Sequence, residues 1–222
     1  MVKAVIFDMY ETLITLFESS LYFGKQMAVD AGIEEKKFKE IWRAAEEDRT
    51  MGRISLEEIL EKILKVNDCY SEAKMNFIVD KRIQNREDAF CHLHKDIIPM
   101  LNALKGKGIR IGLISNCFSE EAIVIKKSIL YPYFDAVCLS CDEGLKKPDH
   151  AIYKKCLERL NLAAWDCLYV GDGGSDELEA AKIVGMKTAQ AVWYLKEGVG
   201  QPSKRKPEFR QLEMPLDILD MT

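Results

Sequence analysis

Asp8 in FDMYETL stands directly behind the apolar run Val2, Ala4, Val5, Ile6, Phe7, where a buried strand releases the chain into a loop. Three more polar groups follow apolar runs in the same way: Ser115 and Asn116 after IRIGLI, Lys147 in GLKKPDH, and Asp172 with Asp176 in VGDGGSDEL. Each has an ordinary reading when taken alone, as a turn residue, a helix cap or a solvated side chain. In a parallel sheet, however, the strand ends share one edge, so residues distant in sequence meet there. Asp8 and Asp172 brought close would repel unless protonated or bridged by a cation. Oxygen donors without a Cys-His cluster suit Mg²⁺, a hard ion. Ser115, Asn116 and Lys147 can hold a phosphoryl group, Lys147 neutralising charge that would oppose attack by Asp8 as the nucleophile.

The elements that must position these groups follow from pattern. VKAVIFD, IRIGLIS, FDAVCLS, CLYVGD and KTAQAV predict five strands of a sheet covered on both faces. Helices are expected between the later ones, in KDIIPMLNALKGKG, in EEAIVIKKSIL, behind Asp149 as a cap, and from Ser175 or Asp176 to Gly185. The interval 15–89 carries four amphipathic stretches and no convincing strand, which predicts a helical unit inserted over the crevice where open α/β sheets bind ligands. The expected fold is α/β, a Rossmann-like three-layer arrangement with a central, mainly parallel sheet and an inserted alpha-helical cap. Residues 1–14 and 90–222 form its core domain and 15–89 its cap. Beyond Gly198 the charged, Pro-containing sequence gives no definite element, and a tail packed back on the sheet and a frayed one are both open.

With 222 residues, 48% hydrophobic and 31% charged, the chain can bury a substantial core. Its net charge of -4 offers no global basic field for nucleic acid or an anionic bilayer. The strand pattern at the N-terminus and the lack of a membrane-length apolar run predict a cytoplasmic protein, a monomer or homodimer acting on a small molecule. Seven cysteines include one CLSC, Cys138 to Cys141, whose expected reading is two ordinary thiols.

The four motifs, in this order, resemble those of the haloacid dehalogenase-like hydrolases: FDMYET motif I, LISN motif II, Lys147 in KKPD motif III, and GDGGSDE the acidic motif IV. The resemblance spans Val2 to about Val192 and implies a covalent intermediate on Asp8. In magnesium-dependent relatives it implies metal ligation by Asp8, the backbone carbonyl at Tyr10 and Asp172, with Asp176 supporting the ion directly or through water. Phosphatases of the family usually carry a second aspartate where this chain has Tyr10. A phenol, with an ordinary pKa of about 10, is a poor general base at neutral pH. Tyr10 instead resembles 2-haloacid dehalogenases, whose attack falls on carbon without a metal, and Arg43 resembles their cap arginine that receives the halide. The retained acids of motif IV favour a magnesium-dependent hydrolase of small phosphomonoesters. The alternatives are a metal-independent 2-haloacid dehalogenase and a phosphate-ligand sensor without turnover. Glu11, beside Tyr10, is a candidate acid or base, and cap residues together with the loop 51–54 are expected to set substrate size and charge.

Overall fold

The computed structural model describes residues 1–196 and 203–222. Six strands form one parallel sheet: β1 (Ala4–Phe7), β2 (Arg110–Ser115), β3 (Ala136–Leu139), β4 (Cys167–Gly171), β5 (Lys187–Ala191) and β6 (Arg210–Leu212), in the spatial order β3-β2-β1-β4-β5-β6. The five predicted strands are present. β6 was not expected from the sequence; it is a three-residue edge strand with an exposed arginine, too short and too polar to give an alternating signal. Its partner register is Ala189 to Arg210. A 3₁₀ turn, Pro215–Met221, follows it and lays Ile218 into the core beside the helix Ile97–Gly106. The tail beyond Gly198 therefore carries two elements, with 198–202 outside the described residues.

The described residues also form ten α-helices: α1 (Gly24–Ala31), α2 (Glu35–Ala44), α3 (Glu46–Thr50), α4 (Leu56–Val66), α5 (Glu72–Asp88), α6 (Ile97–Gly106), α7 (Ser119–Lys127), α8 (Ser140–Glu143), α9 (His150–Leu160) and α10 (Glu177–Val184). Side chains alternate along β1, so that Val5 and Phe7 join the α6 and α7 layer while Ala4 and Ile6 join the α9 and α10 layer. Both faces pack against apolar side chains, which is why the strands read as continuous apolar runs. Gly112 in β2 admits α9 closely, since a Cβ there would lie 3.0 Å from Ile6 and 3.2 Å from the Cys156 sulfur.

Helices α1 to α5 are inserted between β1 and α6 and have their own apolar cluster, built on Met27, Phe38, Leu56, Leu60, Ile63 and Ile78. α4 begins in a capping box, with Glu58 N–H donating to Ser55 Oγ and Ser55 N–H to the Glu58 carboxylate. The second predicted stretch is two helices, α2 and α3, broken at Ala45. The chain runs outward through β2 and β3, then crosses back to β4, which makes the C-terminal ends of β1 and β4 the switch point of the sheet. Phe7 pairs with Leu113 on one side and Val170 on the other, so the three strands end nearly level.

Candidate active site

Asp8 and Asp172 flank that switch point, 6% and 5% exposed. Asp8 is fixed by its own N–H, which donates to the Val170 carbonyl at 2.9 Å. Lys147 Nζ reaches back to Asp8 Oδ1 at 2.5 Å and to Glu177 Oε2 at 2.5 Å. Tyr169 donates its hydroxyl to the same Glu177 oxygen at 2.8 Å. One ligand oxygen from each of Asp8, Asp172 and Glu177 lies within 4.8 Å of the others. Three carboxylates thus face one ammonium in a buried space.

The electrostatics follow from this imbalance. Burial, with Glu177 and Asp172 nearby, pushes the Asp8 carboxyl up to about 8 despite the attraction of Lys147. Burial and Glu177 push Asp172 up to about 6, opposed by donors from Ser203 Oγ and the Gly174 N–H. Burial opposes the charged form of Lys147, but Asp8 and Glu177 outweigh it and hold the ammonium above its ordinary value. A second cation among the three carboxylates would relieve the remaining repulsion, and their all-oxygen donor set fits Mg²⁺.

Four of the residues singled out in the sequence converge here: Asp8, Lys147 and Asp172 directly, and Asn116 through Lys147. Asn116 does not present its amide to the carboxylate cluster. It holds the Lys147 main chain at both ends, accepting from Lys147 N–H at 2.8 Å and donating to its carbonyl at 3.0 Å. Asn116 thereby positions the ammonium. Ser115 lies fully buried at the end of β2 with an Oγ that has no hydrogen-bond partner, a group a ligand oxygen would satisfy.

Asp176 lies at the mouth of the cleft that leads to Lys147 and not among the three clustered carboxylates. Its side chain is 80% exposed, near Lys206 at 3.9 Å and outside the cluster. Glu177, one residue on, occupies the site at 1% exposure. Helical period carries the signal for Glu177: it shares a face with Ala181 and Val184, four and seven positions on, whereas Asp176 precedes the helix. Gly171 makes room for it, because a Cβ there would lie 2.0 Å from Glu177 Oε1.

Glu11, the candidate substitute acid, is turned to local structure. Its backbone is left-handed at φ 56, and its carboxylate accepts from Thr15 Oγ1 at 2.7 Å and from Leu16 N–H at 2.9 Å. Burial and the nearby Glu121 hold the Tyr10 phenol well above its ordinary value, so it stays protonated. A cleft between insertion and core leads to Lys147, lined by Arg43, Glu46, Glu47 and Thr50 on one side and by Asn116, Phe118 and Lys146 on the other. The insertion thus contributes Arg43, Glu46, Glu47 and Thr50 to this cleft. Arg43 is exposed on its rim.

Residues 2–185 match the family described as haloacid dehalogenase-like hydrolase. The phosphoglycolate phosphatase of Aquifex aeolicus is 31% identical over 164 residues, 73% of each chain. The glyceraldehyde 3-phosphate phosphatase of Methanopyrus kandleri is 23% identical over 100% of this chain and 97% of its own. Among solved structures, a HAD phosphatase from Thermococcus onnurineus superposes with a TM-score of 0.69 at 20% identity, over 99% of this chain and 97% of that one. A 2-haloacid dehalogenase from Pseudomonas syringae superposes with a TM-score of 0.68, also at 20% identity and with the same coverage. At that identity both likenesses concern the fold alone.

Proposed function

Because the chain belongs to the haloacid dehalogenase-like hydrolases, we propose that it hydrolyses small phosphomonoesters in a magnesium-dependent reaction through a phosphoryl group carried on Asp8. The observation that carries this reading is the meeting of Asp8, Asp172 and Glu177 around Lys147. A 2-haloacid has a neutral reacting carbon and a halide that leaves without help, so it gives such a charge cluster little to do. A phosphoryl group has charge to neutralise on the attacked centre and on the leaving oxygen.

Asp8 Oδ attacks phosphorus, the bond from phosphorus to the leaving oxygen breaks, and water later attacks the same phosphorus to return the Asp8 carboxylate. Lys147 neutralises charge beside the nucleophile, and Ser115 Oγ donates to a phosphoryl oxygen. Asp8, Asp172 and Glu177 would hold Mg²⁺, joined, as the family resemblance implies, by the Tyr10 carbonyl. When bound, the ion supplies positive charge against the phosphoryl oxygens. Tyr10 replaces the usual second aspartate, and Glu11 faces away, so the leaving oxygen takes its proton from solvent or from the substrate itself. Substrates with stable leaving groups should therefore turn over fastest.

The test is phosphate release from a panel of phosphomonoesters in Mg²⁺ or in chelator. Activity should require Mg²⁺ and vanish in Asp8→Asn. Glu177→Gln should lower turnover roughly a hundredfold, as loss of a charge aimed at the reacting group does, whereas Asp176→Asn should leave it near that of the parent. Halide release from a 2-haloacid in chelator, without phosphate release in Mg²⁺, would instead establish the dehalogenase.

A further inference from the structure

Two of the seven cysteines meet beside the site, and they are not the CLSC pair. Cys138 and Cys141 lie on opposite faces at the end of β3: Cys138 packs with Cys156 in the α9 layer, while Cys141 turns to Cys117 in the α7 layer. The Cys117 and Cys141 sulfurs are 4.0 Å apart, both thiols free. Cys117 follows Asn116 in the chain, is 2% exposed and lines the cleft that leads to Lys147. Cys141 is half-buried in α8.

We propose that Cys117 and Cys141 form a redox-modification site, closed to a disulfide by a hydroperoxide and opened by a dithiol, that disables the adjacent phosphoryl site. The two sulfurs differ in the way such a reaction needs. The S–H of Cys117 and the nearby Lys126 ammonium hold the Cys141 thiol below its ordinary value, and the same contact, with burial, holds Cys117 above it. Cys141 is therefore the attacking thiolate and the more accessible of the two. Its sulfur takes one oxygen from the hydroperoxide, the O–O bond breaks, and the departing hydroxide or alkoxide takes up a proton. The Cys117 sulfur then attacks the sulfenic sulfur, the S–O bond breaks, and the Cys117 proton leaves with the hydroxyl as water. Two thiols are oxidised and one peroxide is reduced. A disulfide has its sulfurs about 2.05 Å apart, so closure draws them together by roughly 2 Å.

That movement is transmitted because the segment is clamped. Cys117 N–H donates to Ser140 Oγ at 2.9 Å, and the Ser140 hydroxyl donates to the Cys117 carbonyl at 3.1 Å. The next residue back, Asn116, grips both ends of the Lys147 main chain. Displacing Cys117 therefore displaces the residue that aims the ammonium at Asp8, and a misplacement near 1 Å costs about a hundredfold in rate.

The effect on turnover rests on the proposed phosphatase reading; the chemistry of the sulfurs does not. Protein treated with hydrogen peroxide, then alkylated and digested without reductant, should yield a Cys117–Cys141 cross-linked peptide that dithiothreitol abolishes. Phosphate release should fall about a hundredfold on treatment and return with dithiothreitol. Cys141→Ser should match the untreated parent in turnover and resist peroxide, while Cys138→Ser should remain sensitive. Recovery of Cys117 and Cys141 as free thiols, or cross-linked elsewhere, overturns the site whether or not the protein is a phosphatase. A Cys117–Cys141 disulfide with turnover unchanged overturns the switch.

Discussion

Asp8 and Asp172 are held in the folded protein at about 8 and about 6, both above the ordinary carboxylate range. The sign of the consequence is fixed by linkage. Between about pH 4 and pH 8 the metal-free folded chain binds more protons at these sites than the unfolded chain, so unfolding free energy falls as pH rises. Glu120, raised chiefly by burial, adds to the same trend. Urea unfolding in chelator should give lower stability at pH 8 than at pH 5, Mg²⁺ should recover stability mainly at pH 8, and Asp172→Asn should flatten the chelated profile. Stability in chelator that rises with pH, or a profile unchanged by Asp172→Asn, would contradict the crowding of carboxylates. At this scale Asp8, Lys147 and Asp172 were legible because each directly follows a predicted strand or lies in the loop beyond one. Glu177 was missed because the nearest acid, Asp176, satisfied the expected motif, and only helical phase distinguishes an inward acid from an exposed one.

Glycines 32 and 52 separate backbone freedom from contact at the level of elements. Gly32 closes α1 at φ 71 with nothing within 4 Å of an added Cβ, whereas Gly52, after α3, has φ 70 and would place a Cβ 2.0 Å from the Cys141 carbonyl oxygen. Gly52 is therefore where the insertion rests against α8. Gly32→Ala should cost about 1 kcal/mol from the left-handed backbone alone, and Gly52→Ala should cost distinctly more while also raising KM, because it lifts the insertion off the core. Equal losses in denaturant unfolding would show that the seam at Cys141 yields freely. The elements themselves were largely readable from periodicity, with two instructive exceptions. β6 is too short to carry a pattern. α5 was expected to show one apolar stripe, yet it also buries Arg82 and Arg86, whose partners lie in α7, so charge and burial coincide on that face.

The same arginines decide how the molecule holds its two parts together. Arg49, Arg82 and Arg86 of the insertion are 1–2% exposed and meet Glu120 and Glu121 at the start of α7, with Arg49 to Glu120 at 2.8 Å and Glu121 shared by Arg82 and Arg86 at 2.9 Å each. The Arg49 guanidinium lies 3.7 Å from the ring centres of both Trp42 in the insertion and Phe118 in the core. Burial lowers Arg49 to about 10, a direct sign that its charge is costly there. Three cations against two carboxylates leave the closed seam with an excess positive charge, tolerated by the aromatic rings and by acceptors such as the Tyr22 carbonyl. Glu121→Gln removes the carboxylate that Arg82 and Arg86 share, and breaking a buried pair costs about 3–5 kcal/mol where the charge stays buried. The insertion has a cheaper response than unfolding: it can swing away and let Arg82 and Arg86 hydrate. Small-angle scattering of Glu121→Gln should therefore show a larger radius of gyration than the parent, and proteolysis should cut sooner between β1 and α1, while α1 to α5 keep their own apolar core and helical signal. A scattering profile identical to the parent's, with stability reduced by the full amount, would mean that insertion and core unfold as one body and that this charge cluster is a fixed joint.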